Sequence, residues 1–415
     1  MNIATQSIPF RHRSRWTRFA AITGPGMVVM LADTDAGSVV TAAQSGAQWG
    51  YQLLLLQVVL APILFVVQEL TVRLGIVSGK GHGELIHQYF GRGWALFSVG
   101  TLMLACVGAL LSELSGLAGV GLLFGIPAPV TMFLIVGCLI AMVYTGSYLS
   151  VERLAMCIGA FELVFLVVAW RTHPHAAVVV AGALSIPWTD TKYLYLVAAN
   201  IGAVIMPWMV FYQQSAVVEK KLTMDDLPAA RWDTALGAVA TQLIMAAVLV
   251  ATAATIGASG GGITLDTVQQ IADAITPSLG VGTGRILFAL GMSGAALVAT
   301  IVVTLTAARA LGEVLGVKHS LDHHPREAPW FYGIYTGSLV VGGLIVASGA
   351  NLIKLSVGVQ VMNALLLPIV LGFLYLLARR LPAPYRLKGP YAALVAATVV
   401  LTTGFGAYAG LSGFL

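Results

Sequence analysis

The chain has 415 residues, 58% of them apolar and only 9% charged, with a mean hydropathy of +0.89. Soluble domains average about a quarter charged residues, so a water-soluble enzyme is excluded, and so is disorder, which needs few apolar residues and high net charge. The net charge of +5 says less than its placement, because the apolar residues come in blocks of about 20 or more, the length of a helix across a hydrocarbon core.

The opening stretch MNIATQSIPFRHRSRWTRFA is basic and has no small-residue cleavage site behind a short apolar core. It reads as a retained cytoplasmic tail over 1–17 rather than a removed signal. Eleven apolar segments follow, near 18–45, 51–77, 93–121, 127–147, 152–170, 193–218, 232–258, 283–312, 330–348, 353–378 and 389–413. With the N-terminus inside, 18 Lys and Arg fall on the inner side, from Arg11, Arg13, Arg15 and Arg18 through to Arg386 and Lys388. Only Arg171, Lys192, Arg285 and Lys354 fall outside. The positive-inside bias therefore predicts a multi-pass plasma-membrane protein with a cytoplasmic N-terminus and an external C-terminus.

The longer polar connections are 171–192, 259–282 and 314–329. The second has the apolar spacing of a short amphipathic helix. The third clusters His319, His323 and His324 and reads as a solvated loop before a regulatory metal or pH site. Cys106, Cys138 and Cys157 have neither CxxC spacing nor a neighbouring His, which predicts buried packing thiols rather than a disulfide or zinc framework. No Ser-His-Asp grouping, HExxH, P-loop or nucleic-acid motif appears. The expectation is one membrane domain that is not an enzyme, holds no cofactor, meets the lipid bilayer and shows no evident protein partner.

Two spans do not read as plain helices. The first carries MLADTDAGSVVTAAQSG, with Asp33 and Asp35 about halfway along it, where an acid costs roughly 2.5–3.5 kcal/mol on insertion scales. The adjoining Ala36-Gly37-Ser38 run tolerates non-helical backbone, which is acceptable at membrane depth only where it is buried or lines a cavity. A cation suits the freed carbonyls and a carboxylate together. The sixth carries ANIGAVIMPWMVFYQQSAVVEKK, and Pro207 should kink or unwind it just before that residue. Breaks in the first and sixth spans predict an all-α architecture of eleven transmembrane helices. Helices 1–5 (18–170) and 6–10 (193–378) form inverted repeats, and an extra helix covers 389–413. Transporters built this way hold their ions at the midplane between broken helices.

At these residues the chain resembles the Nramp family of divalent metal transporters. GPGMVVMLADTDAGSVVTAAQSGAQWGYQLL (24–54) is similar to that family's first helix and following loop, and QELTVRLGIVSGKGHGEL (68–85) to its second helix. LLFGIP (122–127) and GAVIMP (202–207) resemble further family segments. The resemblance implies a LeuT-like fold and a divalent ion held by an Asp and Asn of a DPGN motif, with an Ala carbonyl and Met sulfur from A-x-x-M-P-H-N. Carried over residue by residue, these fall on Asp35, Ser38, Ala203 and Met206.

The departures from the pattern carry chemistry. Ser38 is a shorter arm than Asn and would reach an ion through water. One residue more than the family has lies between Met206 and Ser215, so an alternative register puts Pro207 in the Met position and removes the thioether. Sulfur favours transition metals, whereas carboxylate, carbonyl and water suit Mg2+, which parts with its water reluctantly. The family's sixth-helix His is absent, none of the eight His lies inside a core span, and Glu113 stands without the family's third-helix Asp-x-x-Glu pair. This pattern is similar to the Nramp-related magnesium transporters, a subgroup whose resemblance implies Mg2+ and Mn2+ carriage without proton coupling.

Asp35 is the foremost candidate ligand. Gln213 and Gln214 after the second break, and Gln360 and Asn363 one turn apart in the tenth span, are further candidates that helix–helix hydrogen bonding would equally explain. Asp33 and Glu113 are read as pathway acids, Glu162 as a pathway or paired acid, and Asn200 as a cap for the broken helix. The expected function is import of Mg2+ and Mn2+ by alternating access, the metal being substrate. A proton-coupled Mn2+/Fe2+ Nramp transporter, a LeuT-fold permease for an amine or amino acid, and a non-transporting metal sensor stand as alternatives.

Overall fold

The computed structural model describes residues 24–257, 262–276, 279–349 and 353–414. The 1–17 tail, the start of the first segment, part of the 259–282 connection and the Lys354 side chain lie outside the described residues. The helices are α1 (Pro25–Asp33), α2 (Ala36–Trp49), α3 (Leu54–Ser78), α4 (His82–Phe90), α5 (Arg92–Leu123), α6 (Ala128–Thr145), α7 (Tyr148–Gly159), α8 (Val164–Arg171) and α9 (Ala176–Leu184). They continue with α10 (Thr191–Val204), α11 (Pro207–Glu219), α12 (Leu227–Thr255), α13 (Val268–Ile275), α14 (Val281–Leu315), α15 (Pro329–Ala347), α16 (Ile353–Ala378) and α17 (Gly389–Phe414). No strand occurs among the described residues. Among the described residues ten helices are long and apolar enough to cross a membrane, or eleven spans with the bent α1–α2 pair taken as one.

The first span breaks because Asp35 leaves the helical region. Its backbone is extended (φ −68°, ψ 170°) and its carboxylate accepts from the Ser38 N–H at 2.5 Å, the geometry of an N-cap that starts a new helix. The two halves meet at 48°. In the sixth span Pro207 occupies the first position of α11, and Met206 before it is extended (φ −94°, ψ 142°), as the steric clash of a proline ring demands of its predecessor. The interruption therefore falls at Ile205–Met206, where the sequence placed it.

Three features lie beyond the sequence expectations. The short connection after α3 folds into α4, the 171–192 connection contains α9, and the fifth span tightens into a 3-10 turn at Ala160–Leu163 between α7 and α8. The amphipathic helix expected in 259–282 is α13. Its capping box joins Thr267 and Gln270, and it packs against α5, α12 and α14.

The broken helices lie at the centre. The most apolar stretch of the sixth span is 94% buried, against 22% for α6 at the periphery. α10 runs between α16 and α17, while α12 lies along α1, α2 and α3. The approach of α10 to α16 requires Gly202, since a Cβ there would stand 1.8 Å from the Gln360 carbonyl oxygen. Peripheral faces expose Phe133, Trp170 and Leu401, surface that only an apolar solvent accommodates. Two cysteine expectations are corrected on that surface: Cys106 is buried, but Cys138 and Cys157 are exposed, because α6 and α7 turn those faces outward.

Candidate functional site

The first break brings two acids together. Asp35 and Glu113 are both fully buried and their carboxyl groups face each other. Glu113 Oε2 accepts from the Ala36 N–H at 2.9 Å, so an acid from α5 satisfies a donor left open where α2 begins. One oxygen of each carboxylate, Asp35 Oδ2 and Glu113 Oε1, has no hydrogen-bond partner. Among the described residues neither acid joins a salt bridge.

Around this pair stand polar groups from three other helices. The Ser38 hydroxyl donates to the Ala203 carbonyl at 3.0 Å, which ties the two breaks to each other. Gln360 approaches Asp35 Oδ1 with its amide nitrogen at 3.5 Å, and its oxygen accepts from Asn363 Nδ2 at 2.9 Å. That leaves Asn363 Oδ1 buried without a partner. Gly37 makes room for Gln360, because a Cβ there would lie 2.4 Å from the amide nitrogen and 3.1 Å from Ser112 Oγ. Ser112 in turn shares a 2.7 Å hydrogen bond with Ser356. Met206 is buried at the second break, and the sulfur that faces its backbone N–H, at 3.5 Å, is that of Met209.

Asp35, Ser38, Ala203, Gln360 and Asn363 thus gather around one point, joined by Glu113, which the sequence had placed only on the pathway. Gln214 is not among them. Its oxygen meets His82 Nδ1 at 2.9 Å and its nitrogen donates to the Lys80 carbonyl at 2.9 Å, so both amide ends are used against α4. Gln213 donates to Thr234 of α12 at 3.0 Å and keeps a free oxygen. Asn200 does not cap the broken helix; it accepts from Gln57 at 2.6 Å and donates to Ser45 at 2.9 Å and to the Leu196 carbonyl at 2.7 Å. A polar residue inside α10 has its neighbours one turn back and on facing helices, so it cannot reach the break.

His82 is the residue that span assignment missed: it lies outside every span yet is fully buried, edge-on to Phe211 at 4.8 Å. Burial pushes its pKa from 6.5 down to about 4, against the opposing pull of Gln214. Among the described residues the 314–329 histidines do not gather into a group of three metal-ligating side chains. His319 instead bonds the Val317 carbonyl at 2.7 Å.

A sequence profile described as "Natural resistance-associated macrophage protein-like" (Nramp) matches residues 26–412. The chain is 28% identical over 346 residues to the divalent metal cation transporter MntH of Xanthomonas campestris pv. campestris, covering 80% of this chain and 76% of that one. It is 29% identical over 312 residues to MntH of Bradyrhizobium diazoefficiens, covering 70% and 67%. Among solved structures, the Eremococcus coleocola manganese transporter superposes with a TM-score of 0.77 at 21% identity, covering 99% of this chain and 90% of that one. MHP1, a nucleobase-cation-symport-1 family transporter, superposes with a TM-score of 0.59 at 16% identity, covering 94% and 90%. The fold is LeuT-like.

Proposed function

The chain belongs to the Nramp family, and on that premise we propose that it imports divalent cations, Mg2+ and Mn2+, across a plasma membrane by alternating access and without proton coupling. The observation that carries the reading is the facing Asp35 and Glu113 pair, fully buried, unpaired by any base among the described residues and each with a free oxygen. Two buried carboxylates cost several kcal/mol each unless compensated, and a divalent cation is the guest that compensates both.

The rest of the donor set is hard. Carboxylate, amide and carbonyl oxygens and a short hydroxyl surround the pair, a set that suits Mg2+ with part of its hydration retained. Asp35, Ser38, Ala203, Gln360 and Asn363 would hold that hydrated ion. In this reading 1–17 is cytoplasmic, 18–170 and 193–378 are the two repeats, and 389–413 is an added helix. The membrane potential then drives entry with about 2.3 kcal/mol per charge per 100 mV. The absence of proton coupling is supported by the histidines: the buried one, His82, titrates near 4 and bonds Gln214, away from the acid pair.

A proton-coupled Mn2+ transporter is the second reading. It is favoured by the two methionines, Met206 and Met209, at the second break and by the manganese substrate in the name of the structural neighbour. Uptake into proteoliposomes separates the two, with Mg2+, Mn2+ and Ca2+ compared, an internal pH dye, and Asp35→Ala as control. Mg2+ and Mn2+ entry without acidification, lost in the variant, is expected. Entry of Mn2+ alone with acidification would sink the magnesium-type reading.

A further inference from the structure

The acid pair that holds the cargo is not the only one at this depth. On the other side of the first break, Asp33 closes α1 and Glu162 lies in the 3-10 turn of the fifth span, and they are 1% and 0% exposed. The Thr34 and Thr241 hydroxyls share a 2.7 Å hydrogen bond. The Asp33 carboxyl lies beside Thr241, and the Glu162 carboxyl beside Thr34 and within electrostatic reach of Asp33. Both Glu162 oxygens and Asp33 Oδ1 nevertheless lack a hydrogen-bond partner. The charged groups that face the two are Asp33 and Asp35, with no base among them.

The backbone points the same way. α1 ends at Asp33, where the Thr34 N–H donates to the Leu31 carbonyl at 3.2 Å, and its negative dipole end faces this region, which favours a cation. The turn carrying Glu162 is pinned from two sides. Gly159 lies against Leu31 of α1, and Gly294 of α14 admits the Ile158 carbonyl and brings Glu162 Cγ to 3.7 Å of where a Cβ would stand. A short 3-10 segment inside a helix often marks a functional hinge, and here it aims an acid at the broken span.

Charge balance then decides. Asp33, Asp35, Glu113 and Glu162 are four buried acids around one break, and one divalent ion compensates two of them. We propose that Asp33 and Glu162, with the Thr34 and Thr241 hydroxyls at the negative end of α1, form a second cation site. It takes a hard, oxygen-preferring ion, either Na+ or a second divalent ion, and is separate from the Asp35–Glu113 cargo site.

The test uses the full-length protein in detergent, in choline buffer free of other metals. Radioactive Na+ binding is measured by scintillation proximity, and Mn2+ stoichiometry by equilibrium dialysis. Wild type is expected to bind Na+ saturably beside one Mn2+, or to bind two Mn2+ per chain. Glu162→Gln is expected to remove that additional event and leave the other, while Asp35→Asn does the reverse, so failure of the cargo reading and failure of this one give different patterns. If Glu162→Gln aggregates on size exclusion, Thr241→Val keeps both acids, removes one hydroxyl of the site and the partner of Thr34, and is expected to weaken the additional event by at least about tenfold. One Mn2+ per chain with no Na+ binding in wild type, or an unchanged count in Glu162→Gln and Thr241→Val, overturns the proposal. Either result leaves the pair protonated rather than cation-filled.

Discussion

The first break and the end of the bundle where α1 starts bury the same kinds of residue and partner them differently. At the α1 end three acids meet bases and two accept from N–H and O–H groups, although Asp233 Oδ1 has no hydrogen-bond partner there. Glu152 meets Lys220 at 2.7 Å, and Glu69 meets Arg73 and Arg231 at 2.7 Å each. Arg309 pairs with Glu219, under the Tyr148 and Tyr212 rings at 5.5 and 5.9 Å. Asp233 accepts from the Gly24 and Gly26 N–H groups, and Glu313 from Ser215 Oγ at 2.6 Å and the Gly83 N–H at 3.0 Å. At the first break Asp33, Asp35, Glu113 and Glu162 have no base among the described residues, and each keeps a free oxygen. The difference lies in the bases, present at the α1 end and missing at the first break among the described residues, and in the proposed reading the cation takes their place. In the proposed orientation this end faces the cytoplasm.

The comparison breaks most severely at Arg309. Removing one partner of a buried pair costs about 3–5 kcal/mol, because the other charge stays buried without compensation. Arg309→Met should therefore lower the thermal unfolding midpoint strongly in detergent. Glu113→Gln at the first break should change it in the other direction. It removes a repelling, unsatisfied carboxylate, whose uncompensated burial is costly, so the metal-free protein gains stability while Mg2+ uptake and Mg2+-dependent stabilisation are lost. If both variants destabilise the metal-free protein alike, the distinction between structural and guest-binding acids fails.

A smaller effect separates the two glycines at the breaks. Gly202→Ala places its Cβ 1.8 Å from a backbone oxygen of α16, and overpacking of this kind costs typically about 1–3 kcal/mol and shifts backbone. Gly37→Ala meets the end of the Gln360 side chain, which can rotate. Uptake is expected to disappear in the first variant, and to persist with a raised half-saturating concentration in the second. Equal losses would mean that the Gln360 side chain is as fixed as the backbone.

Much of this was legible in the sequence, for identifiable reasons. Apolar length marked the spans, Pro207 marked the second break, and the Asp35-Ala36-Gly37-Ser38 run marked the first, because each is a local property of a few residues. Gln360 and Asn363 were legible as one helix face. What depends on which helices become neighbours was not. Glu113 looked like any embedded acid until α5 was seen to cap α2, and nothing local distinguishes Gln213 from Gln214, although their amides turn to α12 and α4 respectively. Asn200 read as a cap because it is near the break in sequence, while its partners Gln57 and Ser45 are more than a hundred residues away. His82 was passed over because hydropathy windows see only spans, and a helix of nine residues in a connection can be buried without being apolar.

His82 gives the smallest expected effect and the finest test of the α1 end. Gln214 donates its amide nitrogen to the Lys80 carbonyl, so its oxygen faces His82 and requires the proton on Nδ1. The orphan Nε2 is then the only atom left to titrate, and it is enclosed beside Phe211. The unfolded chain takes up that proton below about 6.5, whereas the folded protein resists until about 4. The contribution to stability is therefore full above pH 6.5, falls as pH drops from 6.5 towards 4, and changes no further below that. His82→Gln should flatten this part of the stability profile while leaving the pH dependence of divalent uptake between pH 6 and 8 as in wild type. If the substitution instead changed the uptake profile across that range, His82 would lie on a proton route and the uncoupled reading would be wrong.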